Sequence, residues 1–506
     1  MQASLRIGAL YRSLRLVPAF SLALVAALNG QQARTTLTLE EAIDLARENN
    51  PQFLARRNDA AVADWEVRQA YGQLLPSASA STNFSYQAAG QARFGIFTAS
   101  DLGVSSTPEY YSSSYNLGLG YSLSGASLLA PGRAKADRRM TEADISARQF
   151  LLDADVTRQY LAVLRAQDAV TLTTQELERA KDNRQLADAR VKVGLAIPME
   201  LKQAEVEQGR AEVALLQAQN LVQTERLRLI QQLGAEISPD AQLTTTFEVG
   251  EVPWSQEELL QQALQGHPTL AAARATVQAN EAGVKMARSE YLPSLQLNVG
   301  WTGYAREAGS TSGMIESARN QVASAREQCL FFNAVAAGSS QPIPGYPQNC
   351  PSGVLTPDQE RQIISRNDVF PFNYTRDPMG AMLTVSLPVF SGFTRERNVQ
   401  VAKAQLMDAE YGRRGEELRI RTEVATAYAN LKTAQQSVVL ETRNRDLADE
   451  QLQLARERYR LGAASFLELQ DAVTIKARAD RAYLIAVYSF HESKAALETA
   501  VGRNLR

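Results

Sequence analysis

The chain has 506 residues, 21% charged and 45% hydrophobic, with a formal net charge of −2. That balance describes a folded chain rather than a disordered one and offers no basic surface for nucleic acid. Two histidines and two cysteines are too few for the common multi-ligand metal sites, and no short nucleotide-binding or hydrolase motif occurs, so neither a cofactor, a metal nor an enzyme is expected.

At the N-terminus, Arg6, Arg12 and Arg15 precede an apolar run from Leu16 to Leu28, broken only by Pro18 and Ser21. Asn29-Gly30-Gln31 follow. A basic region, a short apolar core and small polar residues read as a secretory signal over residues 1–30. A membrane anchor is disfavoured because the run is too short, and no later stretch approaches the ~20 apolar residues of a spanning helix.

Residues 37–76 then read as two helices. Thr38 is placed to cap the first, Asn50-Pro51 breaks the pattern, and Leu74-Leu75-Pro76-Ser77 ends the second. Residues 254–293 repeat the design, with a break at His267-Pro268 and an end at Leu292-Pro293-Ser294. The two prolines are 25 apart in both copies (76 − 51 and 293 − 268). His267 precedes a helix-starting Pro and reads as a helix-entry residue rather than a metal ligand.

After each Leu-Pro-Ser the period changes to two. In 77–124, Ala78, Ala80, Thr82, Phe84 and Tyr86 alternate with Ser77, Ser79, Ser81, Asn83 and Ser85. A return strand alternates Tyr115, Leu117, Leu119, Tyr121 and Leu123 with Asn116, Gly118, Gly120, Ser122 and Ser124. In 294–390, Leu295, Leu297, Val299 and Trp301 form one apolar face, and Ala381, Leu383, Val385, Leu387 and Val389 another. Four strands of about ten residues are long enough to cross a bilayer when tilted. One apolar and one small-polar face suit a membrane barrel, with aromatics such as Phe84, Tyr86, Trp301 and Phe390 near the strand ends. Four strands cannot close a barrel, and open edges cannot sit in lipid, so copies must pool their strands. The loop of residues 305–378 holds Cys329 and Cys350, which would pair in an oxidising compartment or remain as two thiols.

Very long helical patterns follow, in hairpins spanning 133–234 and 395–502 and joined by a linker over 235–253. Val156, Val163, Val170 and Leu177 recur every seven residues, while Ile420, Val424, Ala427, Leu431, Ala434 and Val438 follow a 4-3-4-3-4 spacing. Both are coiled-coil seams on helices extending on the order of 85–100 Å. Each hairpin turns at a glycine. Arg190, Gly194, Leu195 and Glu200 in the first tip align without a gap with Arg458, Gly462, Ala463 and Glu468 in the second, at an offset of 268. A Gly just past a periodic run stops a helix in the left-handed conformation.

With these residues in order, the chain resembles the TolC family of outer-membrane efflux proteins over residues 37–502. The Leu-Pro-Ser entries, the Ser-Leu-Pro-Val-Phe-Ser-Gly run at 386–392 and the two glycine tips carry the resemblance. It implies a mixed α+β membrane protein: a homotrimer in the outer membrane, four strands per copy closing a twelve-stranded β-barrel, and a helical coiled-coil barrel continuing through the periplasm. It also implies a passive duct for efflux or type I secretion, partnered by a periplasmic adaptor and an inner-membrane transporter. The tips, with Arg190, Gly194, Leu195, Arg458, Gly462 and Ala463, would bind the adaptor. Glu468 and Asp471 match the family's acidic pore constriction, to which the first tip would add Glu200, and Tyr459 matches its gate tyrosine. An Arg of the family's closed-state network falls on Ala464, a departure. Glu468 and Asp471 share a helix face, so threefold symmetry would bring six carboxylates to one level; alternatively they are simply solvated at a helix start that favours acids. The competing architectures are a periplasmic coiled-coil scaffold with a soluble sheet and an exported enzyme.

Overall fold

A computed structural model of the chain describes residues 36–90, 93–98, 108–235, 241–245 and 247–505. The expected signal over 1–30 lies outside them. The described elements begin with β1 (Thr36–Leu37) and α1 (Leu39–Asn49), followed by α2 (Pro51–Gly72), β2 (Ser77–Gln87), the small pair β3 (Arg93–Phe94) and β4 (Phe97–Thr98), and β5 (Tyr110–Leu123). The first long hairpin is α3 (Gly125–Lys192) and α4 (Pro198–Leu233). Then come β6 (Gln242–Leu243), α5 (Gln256–Gly266), α6 (Pro268–Arg288), β7 (Ser294–Ala308), α7 (Ser312–Ala337), α8 (Pro357–Asn367), β8 (Thr375–Arg376) and β9 (Gly380–Ser386). The second long hairpin is α9 (Thr394–Arg460) and α10 (Phe466–Val501).

These elements form two compact units, one from Met1–Val62, Arg138–Val277 and Asp408–Arg506, the other from Ala63–Asp137 and Gln278–Met407. The first unit is helical and built twice. Thr38 and Ser255 cap α1 and α5 in the same way, each hydroxyl accepting from a Glu N–H three residues on while that Glu returns to the cap. Buried Ala42, Ala46 and Phe53 recur 217 residues later as Leu259, Ala263 and Leu270. Buried Leu152, Val156, Val163, Leu229 and Leu233 recur 268 residues later as Ile420, Val424, Leu431, Leu497 and Val501. The seam residues from Ile420 to Val438 are all buried, as are Val156, Val163 and Leu177.

The junctions that hold each core are also duplicated. The Asn50 side-chain oxygen accepts from the N–H groups of Gln52 and Phe53 at 3.0 Å, while its amide donates to the Gln232 carbonyl at 2.8 Å. His267 does the same work with a ring: Nδ1 accepts from the Thr269 N–H at 3.2 Å, which leaves Nε2–H to donate to the Thr499 carbonyl at 3.1 Å. Burial holds its pKa below the ordinary histidine value, so the neutral imidazole stands in for a carboxamide. The helix-entry reading of His267 describes this geometry. Gly234 and Gly502 end α4 and α10 in the left-handed conformation, and a side chain at either would strike the backbone of this junction at 2.5 and 2.9 Å. β1 pairs with β6 of the linker in parallel over two residues each.

The large sheet of the second unit is antiparallel and ordered β2-β5-β7-β9, with β8 beside the far end of β7. Its register settles the faces. Leu117 stands opposite Ala80 and Trp301, and Leu297 opposite Tyr121 and Leu383, so these apolar residues share one face. Ser79 stands opposite Gly118, Asn116 opposite Ser81 and Thr302, and Thr384 opposite Gln296, on the other. β2 is one edge, and β9 and β8 make up the other.

Several boundaries differ from those the sequence suggests. β5 starts at Tyr110, five residues before the expected return strand, and β7 runs on to Ala308. β9 has 7 residues and stops at Ser386, leaving Leu387 and Val389 outside it, because Pro388 has no N–H for a ladder. α3 begins at Gly125, ahead of the expected 133, and accommodates Pro131 near its start. The long loop is largely folded: α7 and α8 occupy it, and Cys329 is bonded to Cys350.

Candidate functional site

Both tips of the helical unit are built by the same turn. The Gly194 N–H donates to the Val191 carbonyl at 3.0 Å and the Leu195 N–H to the Arg190 carbonyl at 2.8 Å. In the second tip Gly462 donates to Tyr459 at 3.1 Å and Ala463 to Arg458 at 2.8 Å. This is the two-bond pattern of a Schellman stop, which needs positive φ at the glycine; the values are 75° and 78°. The arginine that opens each turn also closes it, Arg190 donating to the Leu195 carbonyl at 3.1 Å and Arg458 to the Ala463 carbonyl at 3.3 Å. No atom lies within 4 Å of where a Cβ on either glycine would stand, so backbone conformation alone requires them.

The next helix starts differently in each tip. Pro198 sits at the first turn of α4, where its missing N–H costs nothing. Ser465 caps α10 by accepting from the Glu468 N–H at 3.2 Å.

The structure joins the two tips through Tyr459. Its side chain is 1% exposed, in a cluster with Ala187, Ala204, Phe466 and Leu469. Its hydroxyl donates to the Glu200 carboxylate at 2.7 Å. The Arg190 guanidinium stacks over its ring at 4.3 Å from the centroid and also donates to the Tyr459 carbonyl. Burial first, then the Glu200 hydrogen bond, pushes the phenol pKa up, so the hydroxyl stays a donor. Tyr459 therefore meets a carboxylate and a guanidinium of the other hairpin at once.

This arrangement redistributes the expected roles. Glu200 does not stand beside Glu468 as a free carboxylate; it is the acceptor of Tyr459. Arg190, expected as a docking residue, is part of the same clasp, and the small side chain of Ala464 packs against the cluster. Glu468 is about half exposed and pairs with the similarly exposed Arg458 at 3.5 Å. Asp471 is exposed and has no hydrogen bond or ion pair among the described residues.

Around the turns the tips expose apolar side chains, of which sequence reasoning singled out Leu195 alone for docking. Val193, Leu195, Ile197 and Met199 in the first tip and Leu461 and Leu467 in the second are all more than half exposed. The signal was present, since a solvated turn has no use for six such residues. Among the described residues, no group of three or more His, Cys, Asp or Glu is arranged to hold a metal ion.

The family model described as outer membrane efflux protein matches residues 42–235, 259–335 and 352–503. The chain is 25% identical over 271 residues to the cobalt-zinc-cadmium resistance protein CzcC of Cupriavidus metallidurans, covering 53% of this chain and 59% of that one. It is 28% identical over 271 residues to the outer membrane protein TolC of Vibrio cholerae, covering 52% and 57%. The matches thus span less than two thirds of either curated relative. The crystal structure of the Campylobacter jejuni CmeC outer membrane channel superposes with a TM-score of 0.67 at 17% identity, covering 92% of this chain and 85% of that one, and shares its fold. The chain belongs to the outer membrane efflux protein family, non-enzymatic channels with a TolC-like fold that lie in the outer membrane with their helical part in the periplasm.

Proposed function

We propose that three copies of this chain form one duct that carries exported cargo across the periplasm and outer membrane, as the outer component of a tripartite efflux or type I secretion assembly. The observation that carries this reading is the sheet: β2, β5, β7 and β9 run antiparallel, one face apolar and the other mostly Ser, Asn, Thr and Gly beside Gln296 and Met382, with β2 at one open edge and β9, followed by β8, at the other. Unpaired edges are untenable in lipid, and pairing β9 of one copy with β2 of the next satisfies them in a closed ring. The apolar face then meets lipid and the small polar face lines a wet lumen.

The tips are the periplasmic mouth. Their exposed apolar residues, from Val193 to Met199 and at Leu461 and Leu467, suit docking by an adaptor protein that links the duct to an inner-membrane transporter. The duct is passive, and its partners supply the energy. Tyr459, held by Glu200 and Arg190, clasps the two hairpins of one copy and favours a narrow mouth. Asp471, and Glu468 against Arg458, would ring the opening with acid, which concentrates cations by charge rather than by chelation. CzcC's name concerns cobalt, zinc and cadmium; an acidic mouth would admit such cations without a built metal site.

Outer-membrane fractions should yield a detergent-soluble, heat-modifiable trimer. Leu117→Arg and Leu297→Arg should destabilise it by about 2–4 kcal/mol near mid-membrane, whereas Asn116→Arg should be tolerated. Equal damage from both faces, or a chain released as a soluble monomer, would favour the periplasmic scaffold instead. In planar bilayers Glu468→Ala with Asp471→Ala should lower cation selectivity; unchanged selectivity would reduce both carboxylates to solvated helix-start residues.

A further inference from the structure

Each half of the duplicated helical unit carries an apolar stripe that its own copy leaves uncovered. On α4, Val206, Val213, Asn220 and Leu227 fall seven residues apart, and on α9 Leu440, Leu447 and Leu454 do the same. The apolar members of both stripes are more than half exposed. A heptad repeat is the pattern of a helix-packing seam, and a continuous exposed stripe of this kind marks a surface that something covers. The stripes are distinct from the seams already filled: α4 buries Ala204, Val222, Leu229 and Leu233, and α9 buries Val424, Leu431 and Val438.

The duplication shows what such stripes pack against. Within one copy, α10 lies over the groove between α3 and α4: Ala180 and Asn183 of α3, Ala211 and Ala214 of α4, and Val473 and Ala477 of α10 line one cavity of about 250 Å³. The four groove residues recur 268 positions later as Ala448, Gln451, Ala479 and Ala482. These line a groove between α9 and α10 that no third helix covers among the described residues. The covering side of α10 recurs 268 positions earlier as the exposed side of α4, since 474 − 206, 481 − 213 and 488 − 220 all give 268. One copy therefore holds a spare groove in its second half and the helix face that fits it in its first, which is what a closed ring of repeats requires.

We propose that α4 of one copy seats in the α9/α10 groove of the next, and that apolar and amide side chains hold this joint where ion pairs hold the joint within a copy. Inside a copy, α10 meets α3 through Arg165–Glu492 at 2.9 Å, Arg179–Asp480 at 3.2 Å and Arg481–Glu176 at 2.6 Å. The Tyr488 hydroxyl also donates to the Asp168 carboxylate at 2.6 Å. At the equivalent positions, α4 of the next copy would bring Thr224 to Thr433, Glu212 to Leu447, Val213 to Asn444 and Asn220 to Gln436. None of these matches opposite charges. Val213 and Leu447 leave water together instead, and two carboxamides supply both donors and acceptors to each other. The order of copies agrees with that of the sheet, in which β9 of one copy meets β2 of the next: the second half of each chain receives the first half of its neighbour.

This seat rests on the trimeric reading of the duct, and two reagents separate them. Cys329 and Cys350 are bonded to each other, so Val213→Cys with Asn444→Cys supplies the free thiols of the full-length chain. A short bismaleimide applied to outer-membrane vesicles carrying that variant should give covalent dimers and trimers on denaturing gels. Glu176→Cys with Arg481→Cys should give a cross-link inside one chain and no ladder. An amine cross-linker reports the trimer alone. Trimers by amine cross-linking without a Val213/Asn444 thiol ladder would overturn the seat and leave the duct reading intact, while no trimer with either reagent would remove both. A ladder from the Glu176/Arg481 pair would place α10 on the neighbouring copy and overturn the seat as well. Charge tests the pairing itself. Val213→Glu with Asn444→Glu should lower the temperature at which the trimer dissociates, and Val213→Arg with Asn444→Glu, which copies Arg481 and Glu176, should restore it. Equal dissociation temperatures for these two variants would mean that positions 213 and 444 do not face each other, and would overturn the proposal.

Discussion

The first and second hairpin tips share a backbone and differ in how their side chains are spent. Each has an arginine that closes the turn and a glutamate ten residues later, Arg190 with Glu200 and Arg458 with Glu468. In the second tip these two meet each other at 3.5 Å. In the first they are parted by Tyr459, which takes the carboxylate by hydrogen bond and the guanidinium by stacking. The position equivalent to Tyr459 in the first tip is Val191 (459 − 268). The difference between Tyr459 and Val191 makes the joint directional: the second hairpin grips the first. The backbone of the turn is common to both tips, and the partner of the clasp is present in one.

The sharpest way to break the difference is to remove it. Tyr459→Val gives the second tip the residue of the first. It deletes a fully buried ring and a hydrogen bond to a carboxylate, and about 3 kcal/mol of local stability should go with them. Hydrogen exchange at the tips should quicken while the cores around Val156 and Val424 remain protected. Unchanged exchange at the tips would mean the clasp does not hold them.

A second difference between the halves is acid sensitivity. His491 is buried against Phe247, Tyr488 and Phe490, and burial, aided by Lys494, pulls its pKa down to about 4. Its first-half equivalent is Gln223 (491 − 268), which does not titrate. Between about pH 6.5 and 4 the unfolded chain binds this proton and the folded one does not, so stability is present above the unfolded value and is lost as pH falls, by about 3 kcal/mol per copy at most. His491→Gln should flatten the fall of Tm between pH 7 and 5. A fall as steep as wild type would assign the acid sensitivity to other groups.

The two glycines sharpen the comparison from the side of sameness. Their φ values differ by three degrees (78 − 75), and neither has a neighbour for a Cβ to strike. Gly194→Val and Gly462→Val should each cost roughly 1–3 kcal/mol, and nearly the same amount, while leaving trimers in the membrane and abolishing export. Loss of the trimer from either would make the glycine a structural requirement rather than part of the docking surface.

The smallest effects should fall on the arginines, and unequally. Arg458→Ala removes an exposed ion pair with Glu468 and should change thermal stability by under about 1 kcal/mol. Arg190→Ala removes the stack on Tyr459 and should cost visibly more. Equal costs would mean that Tyr459 adds nothing to the first tip.

Much of this was legible in the sequence because duplication prints itself as spacing. The Pro51 and Pro268 breaks, the glycine turns and the seams from Val156 and Ile420 each rest on a local rule that the fold obeys. The faces of the sheet were legible for the same reason, since alternation survives whatever the strand length. Boundaries were less so. Nothing local distinguishes Tyr110–Ser114 from loop, because pairing with β2 and β7 makes it strand. α7 was hidden for a related reason: it has no buried residue, so it lacks the core-facing stripe by which a helix is usually read. The roles of Glu200 and Arg190 could not be read at all, because the Tyr459 contact joins residues 259 and 269 positions apart.

A duct whose mouth is held narrow by Tyr459 should show that closure in its conductance. Single-channel conductance of the purified trimer in planar bilayers tests it most directly, with Tyr459→Phe as the comparison, since that change keeps the ring and removes only the hydroxyl bonded to Glu200. Wild type should show a low, stable conductance and Tyr459→Phe a clearly higher one, with cation selectivity unchanged. Equal conductance in the two, or a trimer that conducts nothing in either form, would contradict it.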